Sequence, residues 1–149
     1  MNVNNFRIGN IVMFAPKGAR GSKIEPRICP VVKINSTQLI VKDLGFHLTL
    51  TSNNKALKLL PLSKQILLEL GGELIEYGFD SDEGGLVCVI DFGVFTLKWS
   101  NEGKNWRVYR RMTKEYQSIE DLYVSKVRFA HEWQNLYFAL TGKELTIND

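Results

Sequence analysis

The last nineteen residues, Ala130–Asn148, constrain the fold of this chain more than any other stretch. Four apolar side chains recur there at the three- and four-residue spacing of an α-helix: Trp133, Leu136, Tyr137 and Leu140. Gly142 follows directly and can adopt the left-handed conformation that ends helices. The segment therefore predicts a helix from about Phe129 to Leu140 that packs its aromatic face inward.

The first sixty residues predict five short strands separated by tight turns. Apolar, β-branched or alternating runs occupy residues 6–14, 27–35, 39–44, 46–50 and 56–60. In the fourth run Phe46, Leu48 and Leu50 alternate with polar residues, so these three side chains are expected on a buried face. Five strands in so few residues are typical of a small SH3-like curled sheet or barrel.

The rest of the chain predicts a helix, a meander and the closing helix. Ser63 is placed to cap a helix over Lys64–Leu70, and Gly71 stops it. Strands follow at 73–79, 86–91, 94–100 and 106–111, whereas residues 112–126 fit either a helical turn or a strand. The predicted class is α+β, with an N-terminal SH3-like small β module at 1–60. A short helix, an antiparallel β meander and a C-terminal helix at 61–149 pack with it as one unit.

Composition indicates an ordinary globular protein, with 44% hydrophobic residues and a net charge of +3. No apolar run approaches the ~20 residues that span a bilayer, and the N-terminus lacks a secretory pattern. We therefore expect a cytoplasmic protein that does not enter membranes. Residues 1–60 carry nine Lys and Arg against two acids, a net of +7, while residues 61–149 carry a net of −4. This asymmetry is consistent with a basic binding face or with dispersed, solvated lysines.

The sequence favours neither a metal site nor an active site. Cys29 and Cys88 are the only cysteines and form no CxxC pair, so a zinc ribbon is excluded, although a disulfide between them stays open. His47 and His131 are the only histidines. The acidic stretch Asp80–Gly85 fits a hairpin turn better than a calcium loop. No nucleophile, base and orienting group converge, so we expect no enzyme activity and no cofactor.

Two groups of cationic residues suggest nucleic-acid binding as an alternative function. One lies in the N-terminal module and includes Arg7, Lys17, Arg20 and Lys23. The other is a predicted strand on which alternation places Arg107, Tyr109 and Arg111 on one face, where cations and an aromatic ring suit a phosphate backbone and bases. Both groups also fit solvated charges that protect a strand edge from aggregation.

Three segments resemble one family. His131–Leu145 is similar to a HQLQNLYFALTGEEL-type ending, Arg7–Asn10 to an RIGN-type start, and Leu60–Leu68 to an IPLTEEILL-type helix. The chain thus resembles small, uncharacterised proteins of Bacteroidetes-type bacteria and their prophages. Trp133 replaces the usual Leu, Ala130 a larger apolar residue, and Ser63 begins a Ser-Lys-Gln in place of Thr-Glu-Glu.

The resemblance implies a phage or mobile-element setting without implying a mechanism. It favours His131, Gln134 and Asn135 as partner contacts, since they lie off the apolar stripe of the last helix. These three side chains face solvent or close a polar network over a sheet. We therefore expect a non-enzymatic binding or adaptor protein with an unknown protein partner. The sequence leaves the oligomeric state open.

Overall fold

The structure of the chain is a computed structural model, which describes residues 5–16, 24–51, 53–80, 85–100, 105–113 and 119–147. Within them lie ten strands and two helices, which fall into two units. The first unit comprises Met1–Pro61 and Phe129–Thr146, and the second Leu62–Arg128 with Ile147–Asp149. Antiparallel sheets with separate helices correspond to the predicted α+β class.

The first unit contains a five-stranded antiparallel sheet in the order β4-β3-β2-β1-β5. Its strands are β1 (Ile11–Phe14), β2 (Arg27–Ile34), β3 (Gln38–Asp43), β4 (Phe46–Thr51) and β5 (Leu57–Lys58). Each strand overlaps one of the five predicted from the sequence. β1 begins only at Ile11, because residues 8 and 9 form a turn in which Gly9 has a φ of 90°.

Alternate side chains of this sheet build the core of the first unit. Fully buried members of that core include Val12, Cys29, Val31, Leu39 and Val41. The predicted alternation is wrong at Phe46. Leu50 lies in the core as expected, but Phe46 is 73% exposed because β4 extends beyond the buried part of the sheet.

The closing helix, α2, spans Ala130–Thr141 and packs on β1. Gly142 ends it with a φ of 72°, and its N–H donates to the Phe138 carbonyl at 2.8 Å. The buried face differs from the predicted stripe. Trp133 is fully buried as expected, but Leu140 is 48% exposed, and Gln134 is buried next to Trp133.

The second unit contains helix α1 and another five-stranded antiparallel sheet, in the order β10-β9-β8-β7-β6. Helix α1 spans Lys64–Glu69, and the Ser63 hydroxyl accepts a hydrogen bond from the Ile66 N–H at 3.2 Å, as the sequence predicts for a cap. The strands are β6 (Glu73–Asp80), β7 (Gly85–Asp91), β8 (Phe95–Ser100), β9 (Asn105–Thr113) and β10 (Ile119–Val127). Part of the ambiguous segment 112–126 is therefore strand β10.

The grouping of α2 differs from the division at residue 60 that the sequence suggests. The structure places this helix with the first unit, whereas the sequence-based division places it with the meander. The reason is long-range contact, because α2 packs on β1 and bonds to the backbone beside it. In the described parts of the chain, neither helix has the length and apolar character needed to cross a membrane.

Candidate functional site

His131 lies inside the first unit. Its side chain is 4% exposed, and its ring stacks on Phe6 with a centroid distance of 4.6 Å and on Phe129 at 6.0 Å. Burial lowers the pKa of His131 below its ordinary value, and the nearby Glu132 opposes this shift only in part. The imidazole is therefore a neutral, packed ring at neutral pH and not a surface contact.

Gln134 is also internal, and it completes a polar network. Its Oε1 accepts from the Ile11 N–H at 3.0 Å, and its Nε2 donates to the carbonyls of Gly9 at 3.1 Å and Leu145 at 2.7 Å. The third residue of the predicted set, Asn135, is half-buried and donates to the Asn5 carbonyl at 2.9 Å. Through these hydrogen bonds, Gln134 and Asn135 hold separate segments of the chain together.

The structure describes one of the four basic residues that the sequence suggests for a nucleic-acid contact in the first sixty positions. Lys17, Arg20 and Lys23 lie outside the described residues. Arg7 is used within the first unit, where its guanidinium lies 3.4 Å from the centroid of the Phe138 ring and its Nη2 donates to Glu144 Oε1 at 2.9 Å. Arg7 therefore connects the start of the chain to the segment that follows α2.

The predicted residues of β9 lie on one face of the second sheet, because Arg107, Tyr109 and Arg111 alternate along one strand. Strand register extends this face across the sheet. Arg107 pairs with Lys98 on β8 and Lys126 on β10, which forms a row of three cations, the cation row. Next to it, Tyr109 pairs with Tyr123, and their rings meet edge to face at 5.8 Å.

Carboxylates neutralise part of this face. The Lys98 ammonium donates to Asp121 at 2.9 Å, and the Arg111 guanidinium donates to Asp91 at 3.3 Å. The Lys98–Asp121 pair is exposed, and exposed ion pairs typically contribute only ~0–1 kcal/mol to stability, so phosphate can compete for Lys98. The Arg111–Asp91 pair is partly buried and holds its cation more firmly. The face therefore combines cations, acids and aromatic rings and is not uniformly basic.

Among the described residues of the first unit, the two large apolar side chains with the highest exposure lie at the turn between β3 and β4. Leu44 is 75% exposed and Phe46 is 73% exposed. They belong to the hairpin tip, which we define as Lys42–His47. Register pairs Asp43 with Phe46, so Leu44 and Gly45 form a two-residue turn.

The backbone of this turn is strained at a leucine. Leu44 has a φ of 47° and Gly45 a φ of 85°, the signs required by a type I′ turn. Asn, Asp and Gly accept this conformation readily, whereas in most other residues the left-handed region costs ~1–2 kcal/mol. Leu44 therefore lowers stability through its backbone conformation and gains little from burial of its side chain, a combination that points to a functional residue.

The base of the hairpin tip is anchored in the unit. Asp43 is buried directly before the turn and accepts a hydrogen bond from the Arg27 guanidinium. Burial, and then the Asp43 carboxylate, raise the pKa of the Cys29 thiol to about 11. An anchored base presents Leu44 and Phe46 in a fixed arrangement, which reduces the entropy lost when a partner binds.

The sequence contains a signal for this turn that the alternation of apolar and polar residues does not reveal. A Leu-Gly pair separates two alternating runs by two residues, the spacing of a tight hairpin. A leucine at the first position of a two-residue turn is unusual, because Asn, Asp or Gly is preferred there. The exposure of Leu44 and Phe46 depends on how far β4 extends beyond the core, which is a property of the tertiary structure.

The cysteines lie in different units, and both are buried, free thiols. Burial raises the pKa of the Cys88 thiol above its ordinary value, with a smaller opposing effect from Lys64. Both groups are therefore protonated at neutral pH, and a protonated thiol is a poor nucleophile.

No protein-family model, curated protein or solved structure matches the chain.

Proposed function

We propose that this protein is a non-enzymatic binding or adaptor protein that acts through protein–protein contacts made by its hairpin tip. The observation that carries this function is the exposure of Leu44 and Phe46 in a turn whose backbone disfavours leucine. Side chains exposed to this extent bury little apolar surface within the folded chain. A partner with an apolar pocket gains two large side chains that are already held in position.

The charge around the tip defines the partner further. Lys42, an exposed cation, pairs with the exposed side chain of His47 across the base of the hairpin. A complementary surface therefore has an apolar pocket with acidic residues at its rim. The net charge of +7 in residues 1–60 favours encounter with such an acidic surface.

We also infer an SH3-like architecture for the first unit and a phage or prophage origin for the protein. The strand order with β5 beside β1 supports the first inference. The resemblance to small proteins of Bacteroidetes-type bacteria and their prophages supports the second.

A comparison of three immobilised proteins tests the protein-contact function. The baits are the wild type, the tip variant Leu44→Asn with Phe46→Thr, and a control with Val94→Thr and Leu122→Thr. The control removes two exposed apolar side chains from the second unit. In the lysate of a bacterium that carries such a prophage, we expect the wild type and the control to retain one partner near equimolar amounts. The tip variant should lose it.

Equal retention by all three baits, or no partner near equimolar amounts, contradicts the proposal. Circular dichroism of each bait checks that the fold persists. The crosslinks of the retained partner should involve residues 42–47 if the tip is the contact.

The cation row supports nucleic-acid binding as the second candidate function. Lys98, Arg107 and Lys126 lie across three strands beside the edge-to-face pair Tyr109 and Tyr123. Cations beside aromatic rings are how many single-strand binders hold a backbone and stack bases.

Fluorescence anisotropy with labelled single-stranded DNA, duplex DNA and RNA separates the two candidates. If nucleic acid binds, affinity should weaken steeply with salt and fall in the double variant Arg107→Ala with Lys126→Ala. Arg110→Ala is the matched control, since Arg110 lies on the same strand and alternates to the other face. Absence of binding even at low salt excludes this candidate.

A further inference from the structure

A cleft of about 270 Å³ opens in the second unit beside the start of α1. Its walls include the rings of Tyr77, Trp99 and Trp106 and the side chain of Leu86, with Lys64 and Cys88 also lining it. The volume is near the lower end of the ~300–1,000 Å³ typical of small-molecule sites. The cleft therefore suits a small ligand.

The aromatic walls are fixed by internal contacts. The Trp106 Nε1–H donates to the Leu62 carbonyl at 3.0 Å. The rings of Trp99 and Trp106, which pair across β8 and β9, meet edge to face at 5.4 Å. Tyr77 pairs with Cys88 across β6 and β7. Because strand pairing and a buried hydrogen bond hold these walls, the cleft exists before a ligand arrives and favours a flat apolar ring.

Lys64 supplies the one ionised side chain among the described lining residues. Its ammonium lies 3.9 Å from the centroid of the Tyr77 ring. No carboxylate in the described part of the chain forms an ion pair with it. Among the described residues, an anionic ligand group that pairs with this ammonium therefore displaces no carboxylate.

The other polar groups add no competing charge. The Cys88 thiol has a raised pKa and is neutral, and the Ser63 hydroxyl is already engaged as the cap of α1. A cationic ligand is disfavoured, since Lys64 already occupies the cation position on the Tyr77 ring and repels a second positive charge.

We propose that this cleft binds a small planar aromatic carboxylate. The ring of the ligand lies against the aromatic walls, and its carboxylate pairs with Lys64. This site lies in the second unit and is separate in the chain from the hairpin tip, so it adds a ligand to the protein-contact function.

A titration of the 149-residue chain with benzoate, observed through the indole N–H signals of its three tryptophans, tests this site. Trp99 and Trp106 line the cleft, whereas Trp133 belongs to the first unit and serves as the internal control. We expect the chemical shifts of the Trp99 and Trp106 signals to change and the chemical shift of the Trp133 signal to stay the same. Benzamide and benzylammonium should bind about tenfold or more weakly, as expected when a charge-assisted contact is lost.

Two variants assign the interaction to the cleft. Lys64→Met should remove the preference for benzoate over benzamide. Leu86→Trp fills the cleft and should abolish the shifts caused by both compounds. An unshifted Trp133 signal in each variant shows that the first unit is intact.

Four results overturn the proposal. Three of them are absence of binding by benzoate, equal affinity for benzoate and benzylammonium, and a Lys64→Met variant that keeps the full preference for the carboxylate. Equal shifts of all three tryptophans also contradict it, because they indicate nonspecific association.

Discussion

At the scale of single residues, Gln134 ties three segments of the first unit together. Replacing it with leucine removes three hydrogen bonds and leaves the Ile11 N–H and the carbonyls of Gly9 and Leu145 without this partner. Each buried polar group left unpaired costs ~1–3 kcal/mol, so we expect Gln134→Leu to lower the free energy of unfolding by roughly 3 kcal/mol or more. Urea denaturation followed by circular dichroism measures this change.

Asn135 provides the control on the same helix. Its hydrogen bond to the Asn5 carbonyl is exposed to solvent, so Asn135→Ala should cost less than ~1 kcal/mol. If the two variants lower stability equally, Gln134 does not have the role that its hydrogen bonds indicate.

His131 makes stability depend on pH in a defined direction. Burial lowers its pKa in the folded state, so the unfolded chain binds the proton more readily. Stability is then fully present above the unfolded value of ~6.5 and is lost as the pH falls toward the folded value. His131→Phe retains a ring between Phe6 and Phe129 and should reduce the loss of stability on acidification. Denaturation midpoints of both proteins at neutral and mildly acidic pH measure the difference, and identical slopes contradict it.

At the scale of elements, the β3–β4 hairpin carries a strain that substitution can relieve. Leu44→Asn keeps the type I′ turn and replaces a disfavoured residue with one that tolerates a φ of 47°. We expect the free energy of unfolding to rise by about 1 kcal/mol. Leu44→Val is the matched control and should lower it, since a branched Cβ fits this conformation less well. Thermal unfolding measures both changes, and a destabilising Leu44→Asn would falsify the assignment of strain.

At the scale of the whole molecule, α2 belongs to the first unit although it follows the second in the chain. A chain that ends at Arg128 lacks Trp133 and Gln134, so the first unit should lose its native structure. The second unit keeps all of its strands and α1. We expect the indole signals of Trp99 and Trp106 to keep native dispersion while the methyl signals of Val12 and Val31 become those of an unfolded chain. Native methyl signals in the truncated protein contradict the prediction.

Short-range chemistry in the sequence determined much of the secondary structure. The spacing in Ala130–Asn148 predicted α2, and Ser63 predicted the cap of α1. Apolar, β-branched and alternating runs predicted nine of the ten strands, whereas the segment that holds β10 was left open between a helical turn and a strand. These signals are local, since helical faces, caps and strand faces depend on residues only a few positions apart. Local patterns also placed Arg107, Tyr109 and Arg111 on one face of β9.

Tertiary structure alone decided which of these residues are available for function. Gln134 accepts a hydrogen bond from Ile11, 123 residues away, and no pattern near either residue announces that contact. Phe46 alternates like a core residue but lies beyond the core, and the cleft brings α1 to strands β6–β9. Burial depends on where distant segments pack, whereas periodicity depends on the neighbouring residues. The elements could therefore be predicted from the sequence, and the exposed surfaces could not.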